Sequence, residues 1–269
     1  MLERRPRMPR RLLILGGTAE AAALARAVPQ RFGASLTAIT SLAGRTEHPG
    51  PLAGEVRIGG FGGADGLADY LKSAGIDLLI DATHPFADRI ARHARLAAEA
   101  AGVPRLVLER PPWRRHPLDR WIEVETLEDA ASAVERLGRR CFLTVGAGDL
   151  AAFARAARVH FIVRLIDPPQ APLPLASYEI VLGRGPFALA EEALLLRRHR
   201  IDILVAKASG GSATEAKLIA ARQSSLPVIM LRRPKPEPGP RVDSVEDAVA
   251  WLARELETGM PQAAEAARP

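Results

Sequence analysis

The sequence predicts an α/β protein built from two parallel-sheet halves. Short β-branched apolar runs alternate with longer amphipathic runs along residues 11–256, which is the pattern of repeated strand–helix units on a parallel sheet. Pro111, Pro112 and Pro117 break this alternation near the middle, and it then resumes. The length, 269 residues, holds one large domain or two small ones.

Taken in order, residues 11–15 read as a strand, and 20–28 as a helix stopped by Pro29. Residues 35–40 and 55–58 are strands, 65–73 a helix and 77–82 a strand. Residues 85–101 read as a helix with Pro85 at its first position, followed by a strand at 105–108. The proline-rich segment with Trp113, Arg114, Arg115 and His116 reads as a linker. Beyond it come a strand at 121–124, a helix at 127–136, a strand at 141–145, a helix at 150–157 and a strand at 160–165. A proline-rich loop at 167–174 precedes a strand at 178–182 and a helix at 188–199. A strand at 203–206, a helix at 214–222, a strand at 228–231 and a helix at 244–256 complete the pattern. The domains expected are therefore 1–112 and 113–257, with an Ala/Glu/Pro-rich disordered tail at 258–269. One internal echo stands out. Residues 124–130, VETLEDA, resemble 242–248, VDSVEDA; both read as helix starts capped by Thr126 and Ser244, with acids in the first turn.

Composition removes several classes. Apolar residues make up 48% and charged residues 25%, so wholesale disorder is not indicated. A lone cysteine, Cys141, leaves no intramolecular disulfide and no Cys-based zinc site. No apolar run approaches the ~18 residues of a membrane span. The apolar run at 12–15 is too short for a secretory signal, so a cytoplasmic protein is expected. The net charge of +6 comes from an arginine-rich composition in which Lys72, Lys207, Lys217 and Lys235 are the lysines. Several arginines sit in an N-terminal arm (Arg4, Arg5, Arg7, Arg10, Arg11), and the 4% of aromatics do not interleave with the basic residues. Nucleic acid is therefore not the expected partner.

The chemistry is expected where strands end. Gly16-Gly17-Thr18 follows the first strand and opens a helix, the place where backbone N–H groups and the helix dipole hold a dinucleotide pyrophosphate. The second strand ends in Ser41-Leu42-Ala43-Gly44-Arg45 with no acid to bond a ribose 2′-hydroxyl. A hydroxyl and a guanidinium suit a 2′-phosphate, which favours NADPH over NADH. Thr83 and His84 close the fourth strand. His84 could be an acid, a substrate contact or a cap for its loop. Metal ligation is not expected there, since no second histidine or acid cluster has ligand spacing. In the second half, TVGAG (144–148), GRGPF (183–187) and KASGGS (207–212) each follow a strand. Each offers N–H groups suited to anions, and Arg184 and Lys207 add cations, although Lys207 also reads as half of a structural salt bridge. A Tyr-x-x-x-Lys pair, a P-loop and a Gly-x-Ser-x-Gly elbow are all absent from the sequence.

These residues resemble the precorrin-6A reductase family of cobalamin biosynthesis. The resemblance runs over residues 12–252 and rests on LILGGTAEA (13–21), SLAGRT (41–46), DATHPFA (81–87), ERPPW (109–113), TVG, GRGPF and KASGG, in that order and spacing. Ala208 departs from the polar residue expected before SGG. The resemblance implies two Rossmann-like halves with a ligand cleft between them, the first binding NADPH and the second the substrate. It also implies reduction of one double bond of precorrin-6A to give precorrin-6B. The cofactor site is expected to comprise Gly16, Gly17, Thr18, Ser41, Arg45, Gly60 and Thr83, with Thr83 and His84 nearest the chemistry. The polycarboxylate tetrapyrrole is expected to meet Gly146, Arg184, Gly185, Lys207, Ser209, Gly210 and Gly211. The electron-poor ring takes hydride on carbon and then one proton, which water or a substrate carboxyl could supply. Transient contacts with neighbouring pathway enzymes are a further expectation. Two other classes remain open at this point. A non-catalytic NADP-sensing module gives no reason for three glycine loops in the second half, and an NADPH reductase of a small ketone lacks a proton donor beside the carbonyl.

Overall fold

The structure, a computed structural model, describes residues 9–44 and 52–258. Chain order begins β1 (Arg10–Leu15), α1 (Ala19–Phe32), β2 (Leu36–Leu42), β3 (Glu55–Ile58), α2 (Ala64–Ser73), β4 (Leu78–Asp81), α3 (Asp88–Ala101) and β5 (Arg105–Leu108). It continues with β6 (Arg120–Val124), α4 (Leu127–Leu137), β7 (Arg140–Leu143), a 3-10 helix (Ala147–Phe153), β8 (His160–Leu165), β9 (Tyr178–Leu182) and α5 (Leu189–Arg198). The last elements are β10 (Ile203–Lys207), a 3-10 turn (Ser212–Thr214), α6 (Ala216–Gln223), β11 (Pro227–Leu231), β12 (Arg241–Val242) and α7 (Val245–Thr258).

Two six-stranded sheets result, ordered β12-β5-β4-β1-β2-β3 and β6-β11-β10-β7-β8-β9, with every strand pair parallel. Parallel strands covered on both faces should be apolar throughout, and the central ones are. In the first sheet Leu12, Ile14, Leu78 and Ile80 face α1 and α7 through Leu24, Val28 and Leu252. The alternate residues Leu13, Leu15 and Leu79 pack on α2 and α3 through Leu67, Leu71 and Ala97. The second sheet repeats this. Cys141, Leu143 and Val205 meet Val134 of α4 and Phe153 of the 3-10 helix, and Phe142, Ile162 and Leu204 meet α5 and α6.

The chain divides into two compact units. Among the described residues, one unit runs to Arg110 and resumes at Glu237, and the other is Pro111–Pro236. This differs from the expected boundaries. Helix α7 belongs to the first unit, packing on α1, because β12 pairs with β5 at Arg241↔Val107 and Val242↔Leu108. A strand of two residues carries no hydrophobic run, so only its partner reveals it.

The sequence echo now has a structural meaning. Strands β6 and β12 are the outermost strands beside β11 and β5, and each leads into a capped helix. Thr126 Oγ1 accepts from the Asp129 N–H at 3.0 Å, and Ser244 Oγ from the Asp247 N–H at 3.1 Å. Even the exits match, since Glu109 N–H donates to Val242 O and Arg232 N–H to Val124 O. Each sheet is thus completed by the same small unit, placed first in one half and last in the other.

Three further elements differ from expectation. Helix α1 runs through Pro29 to Phe32; a proline near a helix end removes one hydrogen bond while tertiary packing of Leu24 and Val28 persists. Pro85 is not the first residue of α3, which starts at Asp88 after a turn closed by the Ala87 N–H on His84 O at 2.7 Å. The helix expected at 150–157 is the 3-10 segment Ala147–Phe153. The N-terminal arm up to residue 8, Arg45, and the tail from 259 lie outside the described residues.

The start of β6 is pinned by the buried Asp119, which accepts from the Arg222 guanidinium at 2.7 Å and from the His116 N–H at 2.7 Å. Burial pushes its carboxyl up, but these bonds and the Arg222 charge outweigh that, so it sits below the usual carboxylate range. A depressed carboxylate stabilises the fold above its unfolded pKa of about 4 and loses that contribution as pH falls through the folded value. Asp119→Asn should therefore melt earlier than wild type at neutral pH, and the gap should close below about pH 4. Melting curves across pH check this; a gap that widens in acid would contradict it.

Candidate active site

In an open parallel sheet, ligands bind beyond the carboxyl ends of the strands, where the strand order reverses. In the first unit the reversal lies between β1 and β4. The loops leaving these two strands meet there. Thr18 caps α1, accepting from the Ala21 N–H at 3.1 Å, and its hydroxyl donates to Ala82 O at 2.7 Å. Gly16 N–H donates to Ser41 O at 2.9 Å, which draws the β1 turn onto β2. Gly17 has φ +105°, with open space beyond its Cα, and a side chain there would be strained. The turn therefore presents backbone N–H groups and a helix N-terminus to open space, a cradle that fits a pyrophosphate. Glu20 in the first turn of α1 would oppose an anion, but Arg110 pairs with it at 2.9 Å.

The β4 end is built around Asp81. This carboxylate is 2% exposed. Its Oδ1 accepts from the Thr83 hydroxyl at 2.7 Å and the Thr83 N–H at 3.2 Å, and its Oδ2 lies 3.9 Å from Arg105. Burial pushes the Asp81 carboxyl up, and the Thr83 bonds and the Arg105 charge offset only part of this. His84 Nδ1 accepts from the Phe86 N–H at 3.2 Å, so in the neutral ring the proton is on Nε2. That bond is one that a loop cap makes.

Ser41 is buried at the end of β2, and Arg45, its expected companion, falls outside the described residues. Gly60 O accepts from Arg57 at 2.8 Å, and the Arg57 guanidinium lies 3.9 Å over the Phe61 ring. Arg57 thus shapes the loop after β3.

The second unit reverses between β7 and β10, and its three glycine loops leave the carboxyl ends of one parallel sheet. Two are tied together: Lys207 Nζ donates to Asp149 Oδ2 at 2.7 Å, and the Thr144 hydroxyl to Val205 O at 2.8 Å. Gly146 opens the 3-10 helix that carries Asp149. Ser209 is buried, and Gly210 and Gly211 follow at φ +67° and +77°. This loop is held from outside. Trp113 Nε1 donates to Gly211 O at 2.8 Å, and Arg233 donates to Ala208 O at 2.7 Å and Ser209 O at 2.9 Å. The third loop joins through the Phe187 N–H on Ala213 O at 3.3 Å. It borders a cavity of about 310 Å³ lined by Arg164, Gly183, Arg184, Phe187 and Glu192. A side chain at Gly185 would meet Ala213 O.

The sequence reading missed Asp81, Arg105, Asp149, Trp113 and Arg233. Asp81 had a legible signal, an acid ending an apolar strand two residues before a threonine; the others act through contacts distant in sequence.

The arrangement is two reversal points on two parallel sheets, each bordered by glycine-containing loops. The family model for precorrin-6x reductase CbiJ/CobK matches residues 11–253. The chain belongs to the precorrin-6x reductase family. A precorrin-6A reductase of Rhodococcus erythropolis is 49% identical over 90% of this chain and 97% of its own length. The Mycobacterium tuberculosis precorrin-6A reductase is 43% identical with the same coverage. Among solved structures, CobK precorrin-6A reductase superposes with a TM-score of 0.87 at 42% identity, covering 91% of this chain and 97% of that one. The α/β fold with two six-stranded parallel sheets is thus the fold of the family. No helix among the described residues is long and apolar enough to cross a membrane.

Proposed function

We propose that this chain reduces one double bond of precorrin-6A to precorrin-6B in cobalamin biosynthesis, using NADPH bound at the first unit's reversal point. The observation that carries the reading is the family match over residues 11–253, together with relatives of 42–49% identity that are precorrin-6A reductases. A nicotinamide supplies hydride when bound. Gly16, Gly17 and Thr18 would hold its pyrophosphate, Ser41 and Arg45 its ribose phosphate, and Gly60 would border it. Thr83 and His84 would flank the reacting end. The loops of the second unit would take substrate carboxylates through Gly146, Arg184, Gly185, Lys207, Ser209, Gly210 and Gly211.

The metal-free substrate is favoured. The precorrin-6A reductases compared are 42–49% identical to this chain, whereas relatives that are cobalt-precorrin-6A reductases are 26–29% identical. Rates with the two substrate forms, measured side by side, test that preference.

Cofactor choice gives one test. NADPH should be preferred to NADH, and Arg45→Ala should cost ~1.5–3 kcal/mol of NADPH affinity, the range for a hydrogen bond to a charged group. Equal use of both cofactors by the wild type would rule out a phosphate contact at this loop.

Lys207 tests the division of labour. Lys207→Ala should raise the precorrin-6A KM roughly tenfold and leave the NADPH Kd unchanged, a modest effect because the ammonium is partly solvated and already paired with Asp149. Asp149→Asn separates binding from scaffolding. If Lys207 serves only the salt bridge, both variants lower the melting temperature alike and neither moves KM.

A further inference from the structure

The Asp81–Thr83 pair has a chemical consequence for whatever lies beside it. In the 2.7 Å contact the Thr83 hydroxyl donates to Asp81 Oδ1, so its proton points inward; the Thr83 N–H on the same oxygen and the Arg105 guanidinium beside the other hold the carboxyl in this accepting role against its burial. The same Oδ1 takes the Thr83 N–H, which fixes the turn at this residue. Arg105 stands 3.9 Å from the other carboxylate oxygen and is itself held by Pro238 O, so the carboxylate has little freedom to rotate. Asp81 and Arg105 are both buried, whereas Thr83 is half-buried at the strand end. Thr83 Oγ1 is left with lone pairs and no proton to offer outward. Thr18, across the reversal point, also spends its hydroxyl proton inward, on Ala82 O, but its oxygen already accepts from the Ala21 N–H as the cap of α1. The β4 end of this edge therefore presents the Thr83 hydroxyl oxygen as an acceptor.

We propose that Asp81 is a positioning residue which, by taking the Thr83 hydroxyl proton, makes Thr83 Oγ1 an acceptor for the carboxamide N–H of the nicotinamide. This rests on the reading that the first unit's reversal point holds the cofactor. A reduced or oxidised nicotinamide carries an NH₂ donor beside the reacting ring carbon. An acceptor fixed at the end of β4 orients the ring through that group, and orientation of the reacting atoms is where rate is gained. A threonine free to rotate would meet the amide with either polarity and would not define the ring's orientation.

The test is a binding comparison that needs no turnover. NADP⁺ and its 3-acetylpyridine analogue, in which a methyl replaces the amide NH₂, are titrated into the full-length protein. Wild type should bind the analogue about tenfold more weakly, the scale of one hydrogen bond. Thr83→Val should bring the ratio of the two Kd values near one, and Thr83→Ser should keep it. Asp81→Ala should also bring the ratio near one, whereas Asp81→Asn, which retains an acceptor oxygen, should keep it. In the double variant Asp81→Ala/Thr83→Val the ratio should be no lower than in either single variant, because the two residues act through one contact. If Asp81→Ala does not fold, Asp81→Val, which also removes the acceptor oxygens, takes its place; a ratio that stays at the wild-type value in either folded variant would overturn the role given to Asp81. A wild-type ratio near one, or a ratio that survives Thr83→Val, would overturn the proposal while NADP⁺ still binds. Failure of NADP⁺ to bind wild type at all would instead remove the cofactor reading on which it rests.

Discussion

Glu192→Ala is expected to destabilise the second unit by about 3–5 kcal/mol, the cost of leaving one charge of a buried pair without its partner. Glu192 is 1% exposed and bonds Arg164 at 2.7 Å. The Arg164 guanidinium lies 3.9 Å over Phe187 and 4.7 Å over Phe142 and its side chain is 11% exposed, so water only in part replaces the carboxylate once it is gone. The loss should appear as a fall in melting temperature on the order of 10 °C. A charge-free replacement distinguishes this cause from simple loss of volume. Arg164→Met combined with Glu192→Leu removes both charges and should recover at least half of the loss, because the desolvation cost disappears with the pair. A double variant as unstable as the sum of the single changes would show that packing, not the unpaired charge, dominates. Phe187 belongs to the GRGPF loop and anchors on Ala213, so Glu192→Ala should also raise the precorrin-6A KM at temperatures where the protein remains folded.

Gly210→Ala should be comparably damaging, by roughly 2–5 kcal/mol, from two sources. The residue sits at φ +67°, where a side chain costs about 1–2 kcal/mol. Its Cβ would also run into the Pro111 carbonyl and the Arg233 guanidinium, an overpacking cost of ~1–3 kcal/mol. Relief by local movement would break the Arg233 bonds to Ala208 O and Ser209 O and shift the loop proposed to meet the substrate. Thermal melting and the precorrin-6A KM should therefore both change. Gly17→Ala makes a useful contrast, because open space surrounds its Cα and only the backbone strain remains. If Gly210→Ala melted like wild type, the clamp on this loop would not be rigid.

Much of the fold was legible because parallel strands buried on both faces must be apolar along their length. Runs such as 12–15 and 203–206 announce themselves in that way. What escaped were features whose meaning lies in a distant partner. Strand β12 is two residues long and exists only by pairing with β5, so the sequence pattern alone places the returning helix α7 with the second half. In the sequence, the VETLEDA and VDSVEDA echo reads as two helix starts. Its status as a repeated outer strand and helix required the sheet order. At the sites, glycines and hydroxyls at strand ends marked the loops, because strand-end position follows from local pattern. The groups that set their geometry did not show. Asp149 under Lys207, Arg105 beside Asp81, and Trp113 and Arg233 on the Ser209–Gly211 turn are all separated by many residues from what they hold.

The most direct test of the account is to supply the purified protein with metal-free precorrin-6A and NADPH, following the nicotinamide absorbance and the product mass together. The account predicts that one NADPH is oxidised per macrocycle and that the product gains two hydrogen atoms, one delivered as hydride and one as a proton. It also predicts a much slower reaction when NADH replaces NADPH. NADPH that stays unoxidised while the macrocycle is unchanged, with the protein folded and both ligands present, would contradict it.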